Sequence, residues 1–164
     1  TTYEINIFAL NIFSSIVNEL DYTGVLSIEF FFGNKGLLIN EIAPRTHNSG
    51  HFSIEACNSS QFDQHICIST GIEPPEIKMK CEGSLMINLL GLKKDFPLSI
   101  ENRIEKLSNL TGGFIHWYCK SRETIGRKMG HITFLLDEKC YGERYLKSKK
   151  LIEDVKRIWP SPYN

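Results

Sequence analysis

Between Ile39 and His51 the chain reads INEIAPRTHNSGH. One acid, one arginine, two histidines, two asparagines and a serine share a short segment punctuated by proline and glycine. A carboxylate such as Glu41 is a hard-cation ligand. The planar fork of Arg45 suits carboxylate, bicarbonate or phosphate. His47, Asn48, Ser49 and His51 stand just before a predicted helix, whose N-terminus favours anions. Plainer roles compete: Asn48 or Ser49 can cap that helix, and either histidine can be a hydrogen-bonded surface group.

A second acid, Glu29, lies upstream in GVLSIEFFF. The runs Val25 to Phe32 and Leu37 to Ala43 are rich in β-branched and aromatic residues and flank GNKG, which predicts a hairpin. A three-residue turn, Asn34 to Gly36 with Gly36 left-handed, pairs Gly33 with Leu37, Phe31 with Ile39 and Glu29 with Glu41. Opposed residues share a face with Cβ atoms about 5 Å apart, so two carboxylates there repel. A divalent cation between them reverses the sign. Mg²⁺ suits this, since it takes one or two protein carboxylates and completes its shell with water and phosphate oxygens. A four-residue turn from Gly33 to Gly36 would instead set Glu29 opposite Asn40, and a solvated acid pair is the bland alternative. The other face carries Ile28, Phe30, Phe32, Leu38 and Ile42, which read as core, with Asn40 as the polar exception.

GRKMGH, Gly126 to His131, is a second basic cluster. Arg127 and Lys128 between glycines let backbone approach a phosphate. Lys120 and Arg122, with Tyr118 before them, extend the cluster. A solvated basic turn is the plain alternative.

These segments need elements to hold them. Phe8, Ile12, Ile16 and Leu20 recur at helical spacing, so Ile7 to Leu20 is predicted as an amphipathic helix closed by DYTG. A helical stretch from about Phe52 to Thr70 bends near Asn58 to Ser60, and GIEPPEIK is a linker. Strands are expected over Ser84 to Leu90, Phe114 to Cys119 and His131 to Leu136. Helices are expected over Ser99 to Leu110 and Glu143 to Trp159. Without strict βαβ order, the class is α+β with mainly antiparallel sheet. Domains are expected over 1–75 and 76–164; the strand at 84–90 could belong to either.

The 164 residues suit one domain, or one with a small appendage. Lys plus Arg and Asp plus Glu both number 19, a balance that argues against a broad nucleic-acid-binding face. No apolar run approaches the ~20 residues of a membrane helix, and no secretory signal is visible. The five cysteines are odd in number and lack zinc spacing, so they read as reduced, mostly buried thiols of a cytoplasmic protein. The chain opens TTYEIN, without Met and already in a helix, and so reads as part of something longer.

GVLSIEFFF, LLINEIAPRTHNSGHFSIEACNSSQFDQH, INLLG, IHWYCK and GRKMGHIT together resemble the C-terminal part of N5-carboxyaminoimidazole ribonucleotide synthetase. This is the ATPase subunit of phosphoribosylaminoimidazole carboxylase, an ATP-grasp family of purine biosynthesis. The resemblance runs from about Phe8 to Leu136. It implies the C-terminal half of an ATP-grasp domain followed by a small β-rich domain. It also implies ATP and Mg²⁺ as cofactors, with bicarbonate and 5-aminoimidazole ribonucleotide as substrates, joined through carboxyphosphate. Glu29 and Glu41 match the family's metal ligands, and Asn40-Glu41 the segment touching the ATP phosphates. Arg45 matches the arginine near bicarbonate or carboxyphosphate, with His47 and Asn48 lining the same cleft. Arg127 and Lys128 match the residues expected on the ribonucleotide phosphate, with Lys120 a weaker match. Thr46 stands where the family usually has proline, and Cys119 where it usually has glycine. The adenine pocket, phosphate lysines and Gly-rich lid lie outside these residues, so the 164-residue chain alone is expected to bind nucleotide weakly and not to turn over. The family is compatible with a homodimer. Two other readings stay open: a different ATP-grasp carboxylase-like ligase, and a non-catalytic domain using this half-fold as an interaction surface.

Overall fold

The computed structural model describes residues 2–34, 36–93 and 96–163. It is α+β, with antiparallel sheets and five α-helices among the described residues. The chain divides into two compact units, Thr1–Ile54 with Ser59–Ile77, and Glu55–Asn58 with Lys78–Asn164.

In the first unit, α1 (Thr2–Leu20) starts earlier than its apolar spacing indicated. It ends in a Schellman motif: Tyr22 N–H donates to Val17 C=O at 3.1 Å and Asp21 N–H to Asn18 C=O at 3.3 Å. Asp21 takes the left-handed conformation there, φ 46°, a place usually given to glycine. The hairpin follows as β1 (Ser27–Gly33) and β2 (Gly36–Ala43). A 3₁₀ turn (Asn48–Gly50) and α3 (Gln61–Ser69) complete the run, and α2 (Ser53–Ala56) between them is divided between the two units. The helical stretch breaks as expected between residues 57 and 60. Ser60 and Asp63 then form a reciprocal capping box that starts α3 and holds the Asp63 carboxyl below its usual range.

The hairpin corrects the predicted turn. Gly33 pairs with Gly36, Phe32 with Leu37, Phe31 with Leu38 and Phe30 with Ile39, so the loop is one residue shorter than expected. Gly36 is left-handed, φ 83°, while Lys35 of the predicted turn lies outside the described residues. A one-residue irregularity between Glu29 and Phe30 then makes Asn40 the extra residue of β2. The bulge restores the register beyond it, and Glu29 does face Glu41.

The core assignment is also corrected. Leu38 pairs with Phe31, not on the face of Phe30 and Phe32. Phe32 is 68% exposed, and Leu38 and Ile42 are exposed as well. Two strands have more apolar face than this unit covers. At the turn end, Ile5 and Phe8 of α1 line a hollow with Phe32 and Leu37.

The second unit is a three-stranded antiparallel sheet in the order β3 (Gly83–Leu90), β5 (Lys128–Leu136), β4 (Gly113–Trp117). Helices α4 (Ile100–Ser108) and α5 (Tyr141–Ile158) accompany it. Leu89, Ile132 and Phe134 of the sheet pack with Leu107 of α4 and with Val155 and Trp159 at the end of α5. β5 begins at Lys128 rather than His131, because Leu90↔Lys128 and Trp117↔Gly130 extend the ladder on both sides. Lys128 therefore opens a strand and is not a loop residue.

Arg103 is buried against this core. Its guanidinium makes a two-pronged bond with Glu123, at 2.9 and 3.0 Å, and lies 4.1 Å from the Trp159 ring centre. Pairing of this kind offsets the cost of burying the charge. Glu123 also accepts from Leu92 N–H at 2.9 Å. The five cysteines are free thiols, as expected, but only Cys57 is buried; Cys119 and Cys140 are exposed.

Candidate active site

The first cluster assembles on the hairpin and the loop that leaves it. Glu29 and Glu41 are cross-strand partners, and both are about half exposed. The bulge lets Asn40 donate from Nδ2 to Glu29 Oε2 at 3.3 Å, so Asn40 serves the acid pair instead of interrupting an apolar face. Pro44 and the turn after it bring His47 back over the hairpin. His47 Nε2 stands 3.3 Å from Glu29 Oε1 and 3.9 Å from Glu41 Oε1. Its Nδ1 accepts from Ser49 N–H at 3.3 Å, so His47 caps the 3₁₀ turn in which Asn48 and Ser49 lie. With Nδ1 an acceptor, the ring proton sits on Nε2 and points at the acids.

Gln61 holds this arrangement, and the sequence reading passed over it. Its Oε1 accepts from His47 N–H at 2.8 Å, and its Nε2 donates to His47 C=O at 2.8 Å. The same amide meets His51 Nδ1 at 2.7 Å. One side chain thus bonds both peptide groups of His47 as a neighbouring strand would. Gly50 is required beside it, because a Cβ there would come within 2.7 Å of Gln61 Oε1. The available signal was a glutamine directly after the Ser60 cap, where its side chain turns back on the preceding loop. Arg45 is exposed and donates from Nη1 to Thr46 C=O at 2.9 Å. Asn48 opens the 3₁₀ turn.

Do these residues suit a magnesium ion? Two facing carboxylates supply hard oxygen donors, the number of protein ligands Mg²⁺ ordinarily takes. The His47 Nε2–H lies against both, so the pair is arranged to receive positive charge. Among the described residues, no cage of three or more metal-ligating side chains is found. Such a cage is not what Mg²⁺ bound through phosphates requires. The donor set fits.

The second cluster belongs to the other unit. Lys120 Nζ donates to Lys128 C=O at 2.5 Å and lies 5.3 Å from the Tyr118 ring centre. Arg127 Nη1 reaches Arg122 C=O at 3.4 Å. Among the described residues no acid pairs with Lys120, Arg127 or Lys128, so their charge is available to an anion. Gly91 N–H donates to Arg127 C=O at 2.8 Å and Gly126 N–H to Gly91 C=O at 2.9 Å, fixing the backbone that presents Arg127. Cys119 has φ 50°, which explains why glycine suits this position: the chain turns there through the left-handed region.

Two family models match this chain. Residues 2–62 match the ATP-grasp domain, and residues 84–141 match the phosphoribosylaminoimidazole carboxylase C-terminal domain. The N5-carboxyaminoimidazole ribonucleotide synthase of Synechococcus elongatus is 38% identical over 148 residues, 90% of this chain and 37% of that protein. The Staphylococcus epidermidis protein of the same name is 42% identical over 135 residues, 82% of this chain and 34% of its own length. Among solved structures, the Aspergillus clavatus N5-carboxyaminoimidazole synthase in complex with ADP and 5-aminoimidazole ribonucleotide aligns with a TM-score of 0.76 and 30% identity. That alignment covers 96% of this chain and 42% of that one. The Thermotoga maritima synthetase aligns with a TM-score of 0.72 and 35% identity, over 90% and 40% of the two chains.

The fold and these matches define an ATP-grasp protein. Within that class, the chain belongs to the N5-carboxyaminoimidazole ribonucleotide synthase family. It spans under two fifths of the length of these curated relatives, 37% and 34%.

Proposed function

We propose that this chain is the C-terminal portion of a cytoplasmic, ATP- and bicarbonate-dependent carbon–nitrogen ligase. The ligase carboxylates the exocyclic amine of 5-aminoimidazole ribonucleotide in purine biosynthesis. In this reading residues 1–75 complete an ATP-grasp domain and 76–164 form the small terminal domain. The observation that carries it is the Glu29–Glu41 pair with His47 Nε2 on both acids, in a chain that matches both family domains.

The chemistry has two steps. The terminal phosphoryl group passes from ATP to a bicarbonate oxygen; the β,γ-bridging P–O bond breaks and ADP leaves. The amine then forms a bond to the carbon of carboxyphosphate, the C–O bond to phosphate breaks, and the amine loses a proton. Glu29 and Glu41 would hold Mg²⁺, which when bound supplies charge neutralisation on the ATP phosphates. Asn40 steadies Glu29 and offers its amide toward phosphate. Arg45 matches bicarbonate and carboxyphosphate, both anions with paired oxygens. His47, protonated at Nε2, holds the acids in register and with Asn48 borders the site. Carboxyphosphate is short-lived in water, so the loop must also help exclude solvent. Lys120, Arg127 and Lys128 would take the ribonucleotide phosphate, a monoester with nearly two negative charges.

The test is ADP release by the complete enzyme, with bicarbonate and 5-aminoimidazole ribonucleotide each omitted in turn. Release that needs both, and that falls by more than tenfold in Glu41→Gln, is expected. Release indifferent to the ribonucleotide would point to a different ATP-grasp ligase.

A further inference from the structure

Outside the acid pair and the cation cluster, the second unit holds a group of ionisable side chains that the proposed chemistry leaves unused. His131 sits on the central strand β5, is 1% exposed, and faces His116 of β4. The two imidazoles stack with centroids 4.6 Å apart and planes 17° from parallel. His116 Nε2 lies 2.6 Å from Glu55 Oε1. On the other side, His131 Nδ1 lies 2.7 Å from the Tyr118 hydroxyl. The array therefore runs Glu55, His116, His131, Tyr118, and it ends beneath Lys120, whose ammonium lies over the Tyr118 ring.

Burying these groups needs a reason, because desolvated polar side chains cost stability unless paired. The opposite face of the same sheet packs its apolar residues on α4 and α5. What the array secures is the exit of β4. Tyr118 N–H still donates to Met129 C=O at 3.0 Å, Cys119 turns left-handed, and Lys120 folds back on Lys128 C=O. A lysine side chain gives up rotamer freedom when it is fixed. Here a tyrosine ring pinned at its hydroxyl end fixes it before any ligand arrives.

We infer that Tyr118 and His131 are positioning residues for Lys120. They pre-set its ammonium for the phosphate of the ribonucleotide, with His116 and Glu55 bracing His131. This rests on the proposal that Lys120 and Arg127 bind that phosphate.

The experiment is steady-state kinetics on the complete enzyme with Tyr118→Phe, His131→Gln, Lys120→Ala, the double variant Tyr118→Phe/Lys120→Ala, and Arg127→Ala. Phenylalanine keeps the ring under Lys120 and removes only the hydroxyl, so Tyr118→Phe is the mild variant should His131→Gln fold poorly. Tyr118→Phe is expected to raise the ribonucleotide KM about fivefold, the worth of one neutral hydrogen bond, with the ATP KM and kcat at wild type. Because Tyr118 acts through Lys120, the hydroxyl should matter far less once Lys120 is alanine. An unchanged ribonucleotide KM in Tyr118→Phe overturns the inference, as does an equal rise in the Lys120→Ala background. If Arg127→Ala raises the KM in either case, the phosphate pocket itself survives. If Arg127→Ala and Lys120→Ala both leave it at wild type, the pocket reading fails, and this inference with it.

Discussion

At the scale of single residues, Gln61 and the two basic side chains Arg127 and Lys128 make the clearest demands. Gln61 satisfies both peptide groups of His47. Gln61→Ala strands both, and each unmade bond to a partly buried peptide costs about 1–3 kcal/mol. We expect a lower melting temperature and a kcat that falls more than the ATP KM rises, because His47 leaves the acid pair. Gln61→Glu should fare no better, since a carboxylate cannot donate to the His47 carbonyl. Parallel calorimetry and kinetics check this, and a Gln61→Ala enzyme with wild-type kcat would separate His47 from the site. For Arg127 and Lys128 the expectation comes from charge. A hydrogen bond to a charged group is worth about 1.5–3 kcal/mol, so alanine at either should raise the ribonucleotide KM roughly tenfold to a hundredfold. The ATP KM should hardly move. Equal loss for both substrates would remove these residues from the phosphate.

At the scale of elements, two short devices do most of the positioning. The first is the bulge in β2. The tight turn alone would place Glu29 opposite Asn40, and the extra residue shifts Glu41 back onto Glu29. The acids therefore face each other for a different reason than turn length suggested. The second is the clasp of α4 on the loop before β5, made by Arg103 and Glu123. Arg103→Ala leaves the Glu123 carboxylate without its partner, at a cost of about 3–5 kcal/mol. Chemical denaturation of the chain should show that loss. The joint replacement Arg103→Met/Glu123→Gln should recover part of it, and more than Arg103→Met alone, because the unpaired charge and not the missing packing carries most of the cost. A neutral Arg103→Ala would mean that the pair is worth no more than a surface contact.

At the scale of the whole molecule, the chain holds the acid pair in one compact unit and the free cations in the other. The stretch it shares with two curated relatives covers under two fifths of their length. The apolar residues of the hairpin, Phe31, Phe32 and Leu38 among them, are left exposed. We therefore expect the isolated 164-residue chain to release no ADP in response to bicarbonate and 5-aminoimidazole ribonucleotide, above a Glu41→Gln control. Substrate-dependent release from the pure chain would show that these residues alone carry catalysis.

Much of this was set by local sequence. The hairpin, the break before α3, and the cation cluster at Arg127 and Lys128 follow from β-branched runs, capping residues, glycines and charge. Each of these acts over a few residues of chain. Tertiary structure alone decided the rest. Asn40 was assigned to an apolar face because alternation along a strand is a local rule, and a bulge breaks that rule only when the partner strand is present. Gln61 was invisible because its partners lie 14 residues away at His47. The stack of His116 on His131 needs β4 and β5 side by side, and Lys128 became a strand residue for the same reason. Phe32, Leu38 and Ile42 read as core because they are apolar. Whether an apolar face is buried depends on what packs against it, and these three residues stay exposed.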